Sequence, residues 1–260
     1  MNKAKIDKYI EYAMTKVKLM YKEKKFRSNG YTLKYMLDVE DSDDLIVILS
    51  GIPRPGLKAR YNYGRTLANI KANKLFILDD FGYDQRGAYY LGKDKDFKIQ
   101  TAVKELISKV KTDLKIKNTT YCGSSKGGWA SMYFGIQDNN STIIAGSLQH
   151  KLGNYITSSE RFRENLMSYV MGKDYTNDDV EYLNGLLRDT LIKHKNNKCD
   201  IHLHYSDKEY TYNDHMLHLL KDLDELGIKY NTDVAHYENH DELAYYFPPF
   251  LVDRLNKTLS

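Results

Sequence analysis

A mainly parallel β-sheet with helices on both faces, carried in one domain, is the fold class that the sequence predicts. Three observations predict it. Short apolar runs alternate with segments of helical periodicity along most of the chain. One of those runs turns directly into a helix through Gly123-Ser124-Ser125-Lys126-Gly127, and an acidic loop and a histidine loop follow the last two strand-like runs. Strands that alternate with helices must bury both of their faces, which is the pattern of an α/β layer fold.

Residues 3–22 place Ile6, Ile10, Met14, Val17 and Met20 at helical spacing. This lysine-rich amphipathic helix packs on its own domain or meets a membrane surface or partner. FRSNGYTLKYMLD reads as two antiparallel strands, and Leu45–Leu49 as a strongly apolar strand. A helix over Arg60–Lys71 and a strand over Lys74–Asp79 follow. Lys98–Leu114 is helical, with Val103, Leu106, Ile107 and Val110 on one face. Strand Thr119–Cys122, helix Lys126–Gln137 and strand Thr142–Ala145 complete the first half. Residues 154–195 are helical in pattern but polar and poor in core positions, which suits an inserted cap. Strand Asp200–Tyr205, helix Asn213–Leu226 stopped by Gly227, strand Lys229–His236 and helix Asp241–Lys257 finish the chain.

A chain of 260 residues is an ordinary size for one α/β unit, so residues 1–260 read as a single domain. Apolar residues at 42% suffice for a sizeable core. The 39 basic and 35 acidic residues are spread along the chain, with no basic arm, which argues against nucleic acid as a partner. Most of the 23 tyrosines read as compositional bias. Two cysteines, Cys122 and Cys199, make no disulfide framework. No secretory leader and no apolar run long enough to cross a membrane is visible, so the expected location is the cytoplasm.

The segment TTYCGSSKGGWASMYFG carries the chemistry. It matches G-x-S-x-G, follows an apolar strand and opens a helix of small and apolar residues, the context that this motif requires. A strand turning sharply into a helix lifts a hydroxyl above the sheet edge, near the positive end of the helix dipole. Glycines at 123 and 127 allow the strand and helix to approach closely. These features predict an α/β-hydrolase fold with Ser125 as nucleophile. A phosphate-binding G-x-x-x-x-G-K-[ST] loop is absent, and no cofactor is expected.

Such a serine needs a base, and the base needs an orienting carboxylate, in chain order serine, acid, histidine. Asp207 falls at the C-terminal end of the strand CDIHLHY, with Glu209 as the reserve acid. His240 lies in the loop before the last helix, and His236, still in strand register, is the reserve base. The oxyanion hole calls for the N–H of Lys126 and one from the loop LSGIPRPG. Ile52 is favoured there, with Gly51 next, because Pro53 has no N–H. His202 with His204, and His215 with His218, share faces without a completing ligand, so no metal is expected.

The stretches LIVILSGIPRP, ILDDFGYDQRGAYYLG, YCGSSKGGWASMYFG, SLQHKLGNY and YSDKEY with YENHDELAYYFP resemble a bacterial family of α/β-hydrolase-like proteins. That family comprises capsular polysaccharide biosynthesis proteins of the XcbB/CpsF type and the acetyltransferase-like components of accessory Sec export systems. The resemblance spans roughly residues 44–250. It implies a triad of Ser125, Asp207 and His240, and acyl transfer or ester cleavage on a sugar, polymer or other small ester. A non-catalytic scaffold in a capsule or export complex and a serine peptidase are the competing readings. The acyl group, the acceptor and the oligomeric state stay open.

Overall fold

In this computed structural model residues 22–259 are described. The amphipathic helix expected over residues 3–22 lies outside them but for its last residue. Strands β1 (Lys24–Ser28) and β2 (Tyr31–Asp38) form an antiparallel hairpin. Its turn, Asn29-Gly30, takes left-handed φ at both residues (51° and 83°), the pairing that matches strand twist in a two-residue loop. β2 runs antiparallel to β4 (Asn73–Leu78). From there β3 (Asp44–Leu49), β5 (Asn118–Ser124), β6 (Thr142–Gly146), β7 (Asp200–Ser206) and β8 (Asn231–Ala235) are parallel, giving one sheet in the order β1-β2-β4-β3-β5-β6-β7-β8.

Alternation along the central strands divides the core in two, as a sheet buried on both faces demands. Leu45, Val47 and Leu49 of β3 join Tyr121, Ile143 and Ile201 on one face. There they meet α1 (Lys98–Asp113), α2 (Lys126–Gly135), α4 (Asn177–His194) and α5 (Leu217–Glu225). Ile46, Ile48, Phe76, Cys122 and Ile144 face the other way, against Leu243, Phe247, Leu251 and Leu255 of α6 (Leu243–Thr258). The chain between β6 and β7 is helical, as expected for residues 154–195. α3 (Leu152–Thr157) leads into a helical run over 160–171, which sits over the loop after β4 through Asp94 N–H to Tyr169 O (3.0 Å) and Lys95 N–H to Val170 O (2.7 Å). Leu183, Leu187 and Leu191 of α4 are buried in the larger core rather than in a core of their own.

One expected element is missing. Arg60–Lys71 is a series of turns, not a helix. Tyr63 takes φ 61°, Asn62 accepts the Gly51 N–H at 2.9 Å, and the Tyr63 hydroxyl pairs with Ser124. Leu67 and Ile70 still reach the smaller core. Tertiary hydrogen bonds to Gly51 and Ser124 outweigh the modest helical propensity of this stretch.

Candidate active site

β5 ends at Ser124 and α2 starts at Lys126, so Ser125 alone makes the bend, with φ 54° and ψ −122°. Such a conformation costs a non-glycine residue roughly 1–3 kcal/mol and persists only when its surroundings hold it. Here Ser125 N–H donates to Gly146 O (2.8 Å), and Trp129 N–H donates to Ser125 O (3.0 Å). The glycines are required by contact. A Cβ at Gly127 would stand 2.4 Å from Leu49 O, and one at Gly123 2.6 Å from the Gly127 carbonyl.

His240 sits on a 3-10 turn, His240–Glu242, after β8. Its Nε2 is 3.0 Å from Ser125 Oγ, and its Nδ1 is 2.6 Å from Glu209 Oε2. The structure therefore brings the expected serine and histidine together but sets Glu209, not Asp207, behind the imidazole. The Asp207 N–H still follows the edge of the sheet, donating to Ala235 O at 3.1 Å, which turns its carboxylate outward to His236 Nδ1 at 2.8 Å. Two residues later the chain has left the sheet and the longer glutamate arm points inward, its side chain fully buried. His236 is correspondingly an exposed partner of Asp207. Burial works to raise the Glu209 pKa, but the hydrogen bond and charge of His240 prevail, so the carboxyl lies below the usual glutamate value.

The oxyanion donors are part way legible. Lys126 is the first residue of α2, so its N–H has no helical acceptor and points along the dipole toward the bend. The Gly51 N–H is taken by Asn62 Oδ1, so Gly51 is set aside and Ile52 remains the candidate from that loop. The loop is held by Arg86, whose guanidinium donates twice to Pro53 O (3.0 and 2.6 Å).

Two groups at the site escape a reading of the sequence. The Lys126 side chain is wholly buried and pairs with Asp79 at 2.7 Å, neither side chain being exposed. Burial pushes the Lys126 pKa down while Asp79 opposes it. Asp79 also accepts N–H bonds from Ala88 (2.9 Å) and Tyr90 (3.1 Å), fixing a loop in which Tyr89 and Tyr90 both take left-handed φ. From that loop the Tyr89 hydroxyl donates to Gln149 Oε1 (3.0 Å), which orients the amide so that Nε2 donates to Ser125 Oγ (3.2 Å). Gln149 lies in the SLQHKLGNY run after β6, but nothing in a lone polar residue there signals contact with a serine 24 positions earlier. Three further histidines pair with carboxylates: His202 with Asp200, His204 with Asp233 and His150 with Asp222. Among the described residues no group of three or more His, Cys, Asp or Glu could hold a metal ion, and no helix is long and apolar enough to cross a membrane.

Sheet order, the strained serine after β5, the acid after β7 and the histidine after β8 together define the α/β-hydrolase fold. No protein-family model and no curated protein sequence matches the chain. Solved structures do. The capsule O-acetyltransferase of Neisseria meningitidis serogroup A is 22% identical with a TM-score of 0.75, over 89% of this chain and 94% of that one. Its mutant complex with CoA matches with 21% identity, a TM-score of 0.74, and coverage of 90% and 94%. A fluorophosphonate-binding serine hydrolase of Staphylococcus aureus is 14% identical with a TM-score of 0.64, over 92% and 97% of the two chains.

Proposed function

We propose that this protein is a serine-dependent O-acyltransferase or esterase working through an acyl-enzyme on Ser125. The observation that carries the reading is the continuous relay from Ser125 Oγ to His240 Nε2 (3.0 Å) and from His240 Nδ1 to Glu209 (2.6 Å). Oγ attacks the acyl carbon as His240 Nε2 takes its proton, and Glu209 stabilises the imidazolium. The oxyanion forms against the Lys126 N–H and the Ile52 loop. His240 then gives the proton to the leaving group, which departs and leaves the acyl ester on Ser125. In the second half an alcohol or water loses its proton to His240, attacks the ester and releases Oγ, which recovers the proton.

Likeness to a capsule O-acetyltransferase, also solved with CoA, supports an acyl thioester as donor and a carbohydrate hydroxyl as acceptor. The test is a fluorophosphonate probe, which should label the wild type and not Ser125→Ala. A correctly folded wild type that resists the probe refutes the reading.

A further inference from the structure

Beside the triad lies a cavity of about 560 Å³ that none of the steps above uses. Tyr155 and Phe162 form one wall, and Tyr210, Asn213, Asp214 and His215 the other. It adjoins the base through Tyr210. Tyr210 follows Glu209 in the chain, and its ring centroid is 5.7 Å from that of His240. Tyr155 packs 6.3 Å from Tyr89, the residue that holds Gln149 on the nucleophile. The Arg86 guanidinium, which anchors the Ile52–Pro53 loop, lies 5.8 Å over the Phe162 ring.

One wall is built on a π-helical turn, and a second such turn borders the other. Arg163–Met167 follows Phe162, and Tyr212–Met216 carries Asn213, Asp214 and His215. Such turns sacrifice regular helical hydrogen bonding and concentrate at functional sites. The His215 ring is also readable. Lys151 N–H donates to its Nδ1 (3.3 Å), which assigns the ring proton to Nε2. Burial, with neighbouring histidines, pushes its pKa down to about 4, so it is a neutral donor near pH 7.

The chemistry of the lining selects its ligand. No lysine or arginine lines the cavity, and Asp214 is its one carboxylate. A phosphate or pyrophosphate would meet a carboxylate and no lysine or arginine, the groups that hold such ligands. Aromatic faces beside an amide, a carboxylate and an imidazole N–H suit a ligand with apolar C–H faces and a rim of hydroxyls. We propose that this cavity is the acceptor subsite and holds a neutral sugar unit whose hydroxyl receives the acyl group. The proposal rests on the acyl-enzyme reading. The sugar O–H gives its proton to His240, its oxygen bonds to the acyl carbon, and the bond to Ser125 Oγ breaks with Oγ reprotonated by His240. The phosphate-bearing part of any thioester donor must therefore lie elsewhere.

The test separates this proposal from the reading beneath it. Ser125→Ala is titrated with methyl glycosides of neutral hexoses and N-acetylhexosamines, and binding is followed by saturation-transfer NMR. At least one glycoside should bind, and Asn213→Ala or Asp214→Asn, both at exposed positions, should each weaken it about fivefold or more, the value of one hydrogen bond. Tyr210→Ala should weaken it further. No glycoside binding, binding indifferent to these variants, or displacement by inorganic pyrophosphate overturns the subsite. A wild type that binds glycosides yet neither hydrolyses p-nitrophenyl acetate nor takes the fluorophosphonate label overturns the acyl-enzyme reading, and the acceptor role with it.

Discussion

Replacing Glu209 by glutamine, with Asp207→Asn as its control, discriminates between the two acids on offer. Glu209 Oε2 meets His240 Nδ1 at 2.6 Å with its side chain fully buried. That bond fixes the tautomer in which Nε2 is free to accept the Ser125 proton. An amide NH₂ turned to Nδ1 would force the proton onto Nε2, and an amide oxygen would still lack the charge that stabilises the imidazolium. In serine proteases the equivalent aspartate-to-asparagine change lowers kcat by about 10⁴. The expected loss in kcat/KM here is about 10³–10⁴, equivalent to ~4–5.5 kcal/mol of transition-state stabilisation. Asp207 is bonded to an imidazole that is 70% exposed, so Asp207→Asn should change the rate by less than about twofold. The assay is p-nitrophenyl acetate hydrolysis, with the rate of fluorophosphonate labelling as a second readout. Comparable losses in both variants, or a fully active and folded Glu209→Gln, would refute the assignment of Glu209 and the argument from burial.

Other outcomes follow from the same geometry. Gln149→Leu should lower kcat about five- to tenfold by removing one hydrogen bond on Oγ, and Tyr89→Phe should lose less because Gln149 remains, both read in the same ester assay. Lys126→Met strands Asp79 in a site without exposure, and denaturant titration should show a loss of about 3–5 kcal/mol, part of it regained in Lys126→Met with Asp79→Asn. Asp222, bonded to His150 (2.7 Å) and Arg188 (3.0 Å), has its pKa brought down to about 2 against the opposing effect of burial. A depressed carboxyl stabilises the fold above its ordinary value near 4 and loses that contribution as pH falls through its folded value. The Tm deficit of Asp222→Asn should therefore be full at pH 5–7 and shrink between about pH 4 and 2.

How much the sequence determined differs from element to element. The fold was legible because the central strands are buried on both faces, and near-continuous apolar runs such as LIVIL and KLFIL have few other readings. Ser125 was legible because an elbow is local: the strand, the bend, the glycines and the helix all lie within a dozen residues. His240 was legible from its place after the last strand. The acid was not, because Asp207 and Glu209 are two residues apart and the choice depends on where the chain leaves the edge of the sheet, a matter of pairing with β8. Likewise, the helix expected over Arg60–Lys71 failed because Asn62 and Tyr63 bond to residues of the β3 and β5 ends. The buried Lys126–Asp79 pair and the Gln149–Tyr89 contact join residues 47 and 60 positions apart. The residue types and their local order belong to the sequence; which polar groups meet in the dry centre follows only from the stacking of β3, β4, β5 and β6, since a buried donor must find its acceptor across strands that sequence proximity does not relate.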